Sequence, residues 1–337
     1  MNNENFDTVK FLYKNFTYPF PVLKNPQADY LQKITDEQWI DGEYLWIYKN
    51  NPELRKKYKK TKTAHITACF FPIASFERLK PMGKLMLWAF YNDDLYEQID
   101  YECLGDVRTQ SIAILNGEME VSASTIPLGG MLASLRQELL QFVPETSVFR
   151  LSQMIDRYFS GLEAELKYKK NEQFPTISEC IALREKSVCL YPFMQLIEVE
   201  AGIVLPPEVH EHPVIQRLQA LICQMTVYFN EIQSLWKDEA TGCIYYNMVK
   251  VIQNEYKMTL EEACLESLRL HNEGLEEFIS LQNSLPDFGM WNDAVVNWVH
   301  SMSLFLSGWK TISANLDRYN GTAFPSALEL QKKLSEI

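Results

Sequence analysis

Apolar residues recur at three- and four-residue spacing through stretches such as 81–101, 131–142, 147–170, 176–200, 214–238, 259–281 and 291–315. That spacing lines one face of an α-helix, and the stretches are longer than strands usually run. Few short alternating runs bounded by turn residues occur, so sheet is not expected. Breaks are expected at Asn116-Gly117, Gly129-Gly130, Leu205-Pro206-Pro207, Thr241-Gly242 and Asp287-Phe288-Gly289. Thr259 followed by Glu262 reads as a capping box. Prolines between Tyr18 and Pro26 remove donors that a helix interior needs, and residues 1–30 are expected to form an extended N-terminal strap. No repeat, linker or compositional break divides the chain. The expectation is an all-α single domain over residues 1–337, a helical bundle with a central, aromatic-lined pocket.

Charge narrows the function classes. With 44 acidic and 32 basic residues the net charge is −12, which lacks the basic footprint of a nucleic-acid or anionic-membrane surface. No apolar run approaches the roughly 18 residues of a membrane span, and the polar start MNNENFDTVK is unlike a signal peptide. A soluble, cytoplasmic protein is expected. Seven cysteines without a C-x-x-C pair read as reduced core residues. The five histidines make no catalytic pattern, and His210-Glu211-His212 reads as a solvated turn after Pro206-Pro207.

Two acidic patches carry the chemistry. In the first, Asp93 and Glu97 stand four apart and Asp94 and Glu97 three apart, so a helix brings the carboxylates to one face. In the second, Asn230, Ser234 and Asp238 repeat every four residues and stack an amide oxygen, a hydroxyl and a carboxylate on one stripe. These hard oxygen donors suit magnesium and are poor for zinc.

At these residues the chain resembles the microbial class I terpene synthases, whose aspartate-rich motif and Asn/Ser/Glu-or-Asp triad hold three magnesium ions around a prenyl diphosphate. Arg184 stands upstream of Asn230 where that family carries its diphosphate-sensing arginine. Lys237 matches its diphosphate-binding lysine, and Arg318-Tyr319 its closing Arg-Tyr pair. Further similarity lies in Phe20-Pro21, Asn25-Pro26 and Trp39, and in Phe71-Pro72, Ala74, Glu77 and Trp88 leading into Asp93. The resemblance therefore covers nearly the whole chain.

It implies the class I terpenoid synthase bundle and a magnesium-dependent cyclase. Such an enzyme ionises a linear isoprenyl diphosphate, farnesyl or geranylgeranyl, and closes the carbocation to a sesquiterpene or diterpene. Asp93 would bridge metals with Asp94 and Glu97 supporting it, and Asn230, Ser234 and Asp238 would hold the third ion. Arg184, Lys237, Arg318 and Tyr319 would bind diphosphate, and Phe90, Phe305 and Trp309 would face the cation. The resemblance also implies a helix break near Ser187 and Val188 and leaves a homodimer open.

Departures are few. Asp238 stands for the commoner glutamate, with Glu239 as a rival, and Glu231 replaces an aspartate at a position expected to point off the stripe and tolerate change. Ala89, small where bulk is frequent, would suit a longer substrate, whereas farnesyl diphosphate is the commoner one. A chain-elongating prenyltransferase would want a second aspartate-rich motif, and a protonation-initiated cyclase a D-x-D-D; neither occurs. A prenyl-diphosphate-binding helical protein without turnover is the alternative from another class.

Overall fold

The structure, a computed structural model, describes residues 6–48, 52–96 and 101–316. Its helices in chain order are α1 (Thr8–Asn15), α2 (Ala28–Ile34), α3 (Pro52–Thr61), α4 (Thr63–Phe70), α5 (Phe76–Tyr96), α6 (Tyr101–Asn116), α7 (Gly129–Leu139) and α8 (Glu145–Asn171). They continue as α9 (Ile177–Ser187), α10 (Leu190–Ala201), α11 (Pro207–His210), α12 (Pro213–Gln233), α13 (Leu235–Thr241), α14 (Met248–Tyr256), α15 (Leu260–Asn283) and α16 (Asn292–Ser313). A π-helical stretch occupies Thr35–Glu43. No strand occurs among the described residues, as the periodicity predicts.

Local chemistry sets several boundaries. α9 opens on a capping box between Thr176 and Glu179, and α15 on the expected one between Thr259 and Glu262. α13 stops at Gly242, whose φ of 75° is the left-handed geometry a helix C-terminus favours. α5 starts at Phe76, upstream of Pro81, because the proline forfeits one ladder bond while Leu79, Met82 and Leu85 around it are fully buried. The strap is shorter than expected. Asp7 accepts the Lys10 N–H at 2.8 Å and caps α1, leaving residues 16–27 as the non-helical run between α1 and α2.

Two expected helices are each divided. The stretch 176–200 is α9 and α10, separated at Val188 and Cys189, where Cys189 takes a φ of 61°. The stretch 214–238 is α12 and α13, with Ser234 as the last cap of one and the first cap of the other. Apolar periodicity runs through both breaks, which is why the pattern alone does not reveal them.

The helices gather into two compact units. One holds residues 6–21, 157–191 and 205–310; the other holds the described residues of 22–156 with 192–204 and 311–316. In the first, α12 packs on α15, α9 and α1, and α14 lies against α15 and α9. Leu12, Phe16, Val227, Phe229, Ile232, Val249 and Cys264 share its core, with Phe16 and Tyr13 meeting Phe229 edge-on. In the second, α5 packs against α4 and α7, and α2 against α4. Trp88 and Tyr91 of α5 are fully buried there.

In that second unit the end of α10 receives the turn after α4. Glu200 Oε1 accepts the Ile73 N–H at 3.0 Å, its other oxygen is buried without a hydrogen-bond partner among the described residues, and Arg78 Nη1 donates to the Val199 carbonyl. Burial pushes Glu200 from its ordinary 4.5 up to about 7, against the pull of the Ile73 and Ala74 N–H groups. Between those values the native state holds the proton more firmly than the unfolded chain. Its contribution to stability is full below pH 4.5 and is lost as pH rises through about 7. Urea unfolding should therefore show wild type losing stability relative to Glu200→Gln as pH rises through that window; parallel profiles would refute the assignment.

Candidate active site

The second acidic patch lies at the α12–α13 junction. Although the helix is interrupted, Ser234 N–H donates to the Asn230 carbonyl at 2.8 Å and Asp238 N–H to the Ser234 carbonyl at 3.0 Å. Those two bonds keep Asn230, Ser234 and Asp238 on one stripe. Ser234 Oγ donates to Asp238 Oδ2 at 2.8 Å, and Asn247 Nδ2 donates to the same oxygen at 2.8 Å. Asp238 Oδ1 carries no hydrogen bond among the described residues. Burial, reinforced by the Glu231 charge, pushes Asp238 up to about 7, against the pull of Lys237, Asn247 and Ser234. The rival Glu239 is half-exposed and reaches outward to Lys250 Nζ at 2.5 Å.

These observations fit a divalent cation. Every donor is oxygen, one carboxylate oxygen stands open while the other is held, and the carboxylate's charge is disfavoured until a cation balances it. Among the described residues no three His, Cys, Asp or Glu side chains group to hold a metal by themselves. The stripe supplies one such residue beside an amide and a hydroxyl.

Arg184, near the end of α9, is gripped by two carboxylates. Its Nε donates to Glu231 Oε1 at 3.0 Å and its Nη2 to the same oxygen at 2.5 Å; Nη1 donates to Glu165 Oε1 and to Ser187 Oγ. Ser187 Oγ in turn donates to Glu165 Oε1. Burial would lower the guanidinium's pKa, but Glu231 and Glu165 outweigh it and hold it well above its ordinary value. The α9–α10 break rests on α8 at Gly161. A Cβ there would lie 2.6 Å from the Ser187 nitrogen and 2.9 Å from its Cα, so only glycine admits this approach.

Glu231 corrects the sequence reading. It is 1 % exposed, it pairs with Arg184, and its Oε2 accepts the Met248 N–H at 3.3 Å. The residue does point off the metal stripe, as expected, but it points into a buried ion pair. Tolerance to change does not follow from leaving the stripe.

The first patch belongs to the other unit. Asp94 is 2 % exposed; Tyr58 Oη donates to its Oδ2 at 2.7 Å and Lys57 Nζ lies 3.3 Å away. Tyr58 packs edge-on to Tyr91, whose hydroxyl meets that of Tyr48. Helix α3 thus holds Asp94 from the side, while Asp93 is half-buried. Phe90 and Trp309 are half-buried and Phe305 fully buried. Lys237 is half-buried beside Asp238. Glu97, Arg318 and Tyr319 lie outside the described residues.

The expected histidine turn is put to structural use. His212 Nδ1 accepts the Val214 N–H at 3.2 Å and caps α12, and His210 packs edge-on against Trp298. Six cysteines are buried, as expected of core residues, and form no disulfide among the described residues, whereas Cys103 is exposed.

Lys57, Tyr58, Glu165 and Asn247 were not found by sequence reasoning. The basic run 55–62 around Lys57 and Tyr58 was a usable signal, being opposite in sign to the acidic patch. Asn247 ahead of an apolar-periodic stretch was a cap signal. Glu165 offered none, since nothing in its spacing distinguishes it from Glu163 on the same long helix. Glu231→Gln removes one charge of a buried pair and leaves Arg184 undercompensated, so urea unfolding should show a loss of about 3–5 kcal/mol. Wild-type stability in that variant would restore the tolerant reading.

The model of terpene synthase family 2, C-terminal metal binding, matches residues 84–277. The germacrene A synthase of Nostoc punctiforme is 24% identical over 86% of this chain and 90% of its own length. The 4-epi-cubebol synthase of Streptosporangium roseum, named as cyclising (2E,6E)-farnesyl diphosphate, is 23% identical over 89% of this chain and 90% of its own. Among solved structures, an SVS_A2 protein from ancestral sequence reconstruction superposes with a TM-score of 0.77 at 18% identity, covering 94% of this chain and 97% of that one. The linalool/nerolidol synthase of Streptomyces clavuligerus gives 0.74 at 17% identity over 88% and 99%. Those likenesses carry the fold. The family match spans more than half of the sequence and takes in both acidic patches together with Arg184, so the chain belongs to terpene synthase family 2, a family of lyases acting on diphosphates.

Proposed function

We propose that this terpene synthase is a magnesium-dependent cyclase of farnesyl diphosphate that releases diphosphate and a sesquiterpene hydrocarbon or alcohol. The observation that carries it is the Asn230, Ser234 and Asp238 stripe, with Asp238 Oδ1 open, on the same helix pair whose Glu231 grips Arg184. Farnesyl diphosphate is favoured because 4-epi-cubebol synthase and the (+)-T-muurolol synthase of Roseiflexus castenholzii are both named as cyclising it.

Divalent metal use follows from the family; three magnesium ions are our reading of it. Asp93 would be a ligand in the first patch, with Asp94 as the strut that Lys57 and Tyr58 hold, and Glu97 beside them. Asn230, Ser234 and Asp238 would hold the remaining ion. When bound, magnesium supplies Lewis-acid stabilisation of the departing diphosphate oxygens.

The chain's own side chains do the rest. Arg184 offers a planar fork of donors to diphosphate and Lys237 a point charge; Arg318 and Tyr319 add to both. Phe90, Phe305 and Trp309 present aromatic faces to the allylic cation, worth about 0.5–2 kcal/mol each, without the nucleophilicity that would trap it. The chain is read as one catalytic domain.

Purified protein given magnesium and, separately, geranyl, farnesyl or geranylgeranyl diphosphate should yield a cyclic product from farnesyl diphosphate alone, measured by gas chromatography with mass detection. Chelator should abolish it. Asp238→Ala should cut turnover by about 100-fold or more, at least the loss that outlying partners of metal ligands cause. Glu239→Ala should keep it. A product from geranylgeranyl diphosphate only would move the substrate to the longer chain, and diphosphate binding without any product would favour a binding protein.

A further inference from the structure

Asn247 is fully buried and spends its whole amide. Its Oδ1 accepts the Val249 N–H at 3.1 Å and the Lys250 N–H at 3.4 Å, which caps α14. Its Nδ2 donates to the Glu231 carbonyl at 2.9 Å and to Asp238 Oδ2 at 2.8 Å. The assignment of O and N is unambiguous, since a flipped amide would face two N–H groups with N–H and two oxygens with oxygen.

A cap alone needs only the oxygen, and serine, threonine or aspartate would supply it as well. Only an amide adds a two-hydrogen donor on the same short side chain. Both hydrogens are used at the α12–α13 junction. The break at Ser234 takes the Glu231 carbonyl out of the helix ladder, with no Leu235 N–H bonding to it, and Asn247 satisfies it instead. The second hydrogen, with Ser234 Oγ, fixes Asp238 Oδ2 and so fixes which carboxylate oxygen stays open.

We propose that Asn247 is a positioning residue for the metal ligand Asp238, holding one carboxylate oxygen so that the other meets a divalent cation. The inference rests on the function proposed above and names a residue outside the Asn230, Ser234 and Asp238 stripe. Partners of this kind fix a ligand's orientation, and their loss costs about 10- to 100-fold in metal affinity.

The test reads metal binding directly. Free manganous ion, followed by electron paramagnetic resonance, is titrated with protein in the presence of inorganic diphosphate. Asn247→Ser keeps a capping oxygen but cannot reach Asp238, and its weakest manganese site should lose about 10- to 100-fold in affinity. In an Asp238→Asn background the same substitution should add no further loss, because the two act through one carboxylate. Asn247→Thr, another short cap, carries the same test should the serine variant not fold. Unchanged manganese affinity in the capped variant would overturn the proposal, and so would an equal further loss in the Asp238→Asn background, the mark of a merely structural role. Wild type that takes up no manganese with diphosphate would instead overturn the proposed function, and this inference with it.

Discussion

The buried guanidinium of Arg184 between Glu231 and Glu165 is the interaction on which the surrounding unit depends. Three helices meet in it: α9 carries the arginine, α12 one carboxylate and α8 the other. A fourth is tied in through Glu231 Oε2, which receives the first N–H of α14. Taking charges out of water is costly, and the attraction offsets that cost only while every partner is present. Loss of one member of such a buried pair typically costs about 3–5 kcal/mol, because the other is left uncompensated. The cluster therefore sets the mutual placement of α8, α9, α12 and α14 more sharply than apolar packing, which tolerates small slips.

Both helix breaks of this unit lie beside that cluster, and each is stabilised by something outside its own helix. At Ser234 the released Glu231 carbonyl is received by Asn247. At Val188 and Cys189 the chain turns through a left-handed residue directly over Gly161, with Ser187 held by Glu165 and Arg184. An unbroken helix would satisfy its own backbone groups and leave the side chains to do all the polar work. Here tertiary partners replace ladder bonds, so the breaks persist only in the folded unit and place Ser187 and Asp238 with a rigidity that neither helix alone supplies.

This explains what could and could not be read from residue order. Helices are local, so apolar spacing, Thr259 with Glu262, and glycine at 242 announce them and their ends. The two patches stood out in the sequence because their oxygen-bearing side chains recur at helical spacing. Asp238 was separable from Glu239 by spacing, and the outward ion pair of Glu239 with Lys250 agrees. Apolar spacing marks neither break, because their partners lie elsewhere in sequence, at Gly161 and Asn247; the one after Ser187 was anticipated from the family resemblance alone. Glu231 was misjudged for the same reason. A helical face can be assigned from one helix, but whether that face meets water or an arginine from α9 is a property of the packing.

The charge inventory of this unit bears on how an anionic substrate enters. Glu165, Glu231 and Asp238 face Arg184 and Lys237, so the carboxylates outnumber the cations while all are ionised. Burial first, and the Glu231 charge second, push the Asp238 pKa up. A diphosphate arriving alone would add negative charge to a buried, acidic neighbourhood and would compete with Glu231 and Glu165 for Arg184. On the proposed function, divalent cations would balance Asp238 and present the diphosphate as a less anionic complex, while Arg184 would reach it only by sharing donors that Glu231 and Glu165 now hold. Binding of metal and of diphosphate would then be coupled in both directions, each raising the affinity of the other by the same factor. A site with too few cations of its own would thus select for its substrate and its metal together.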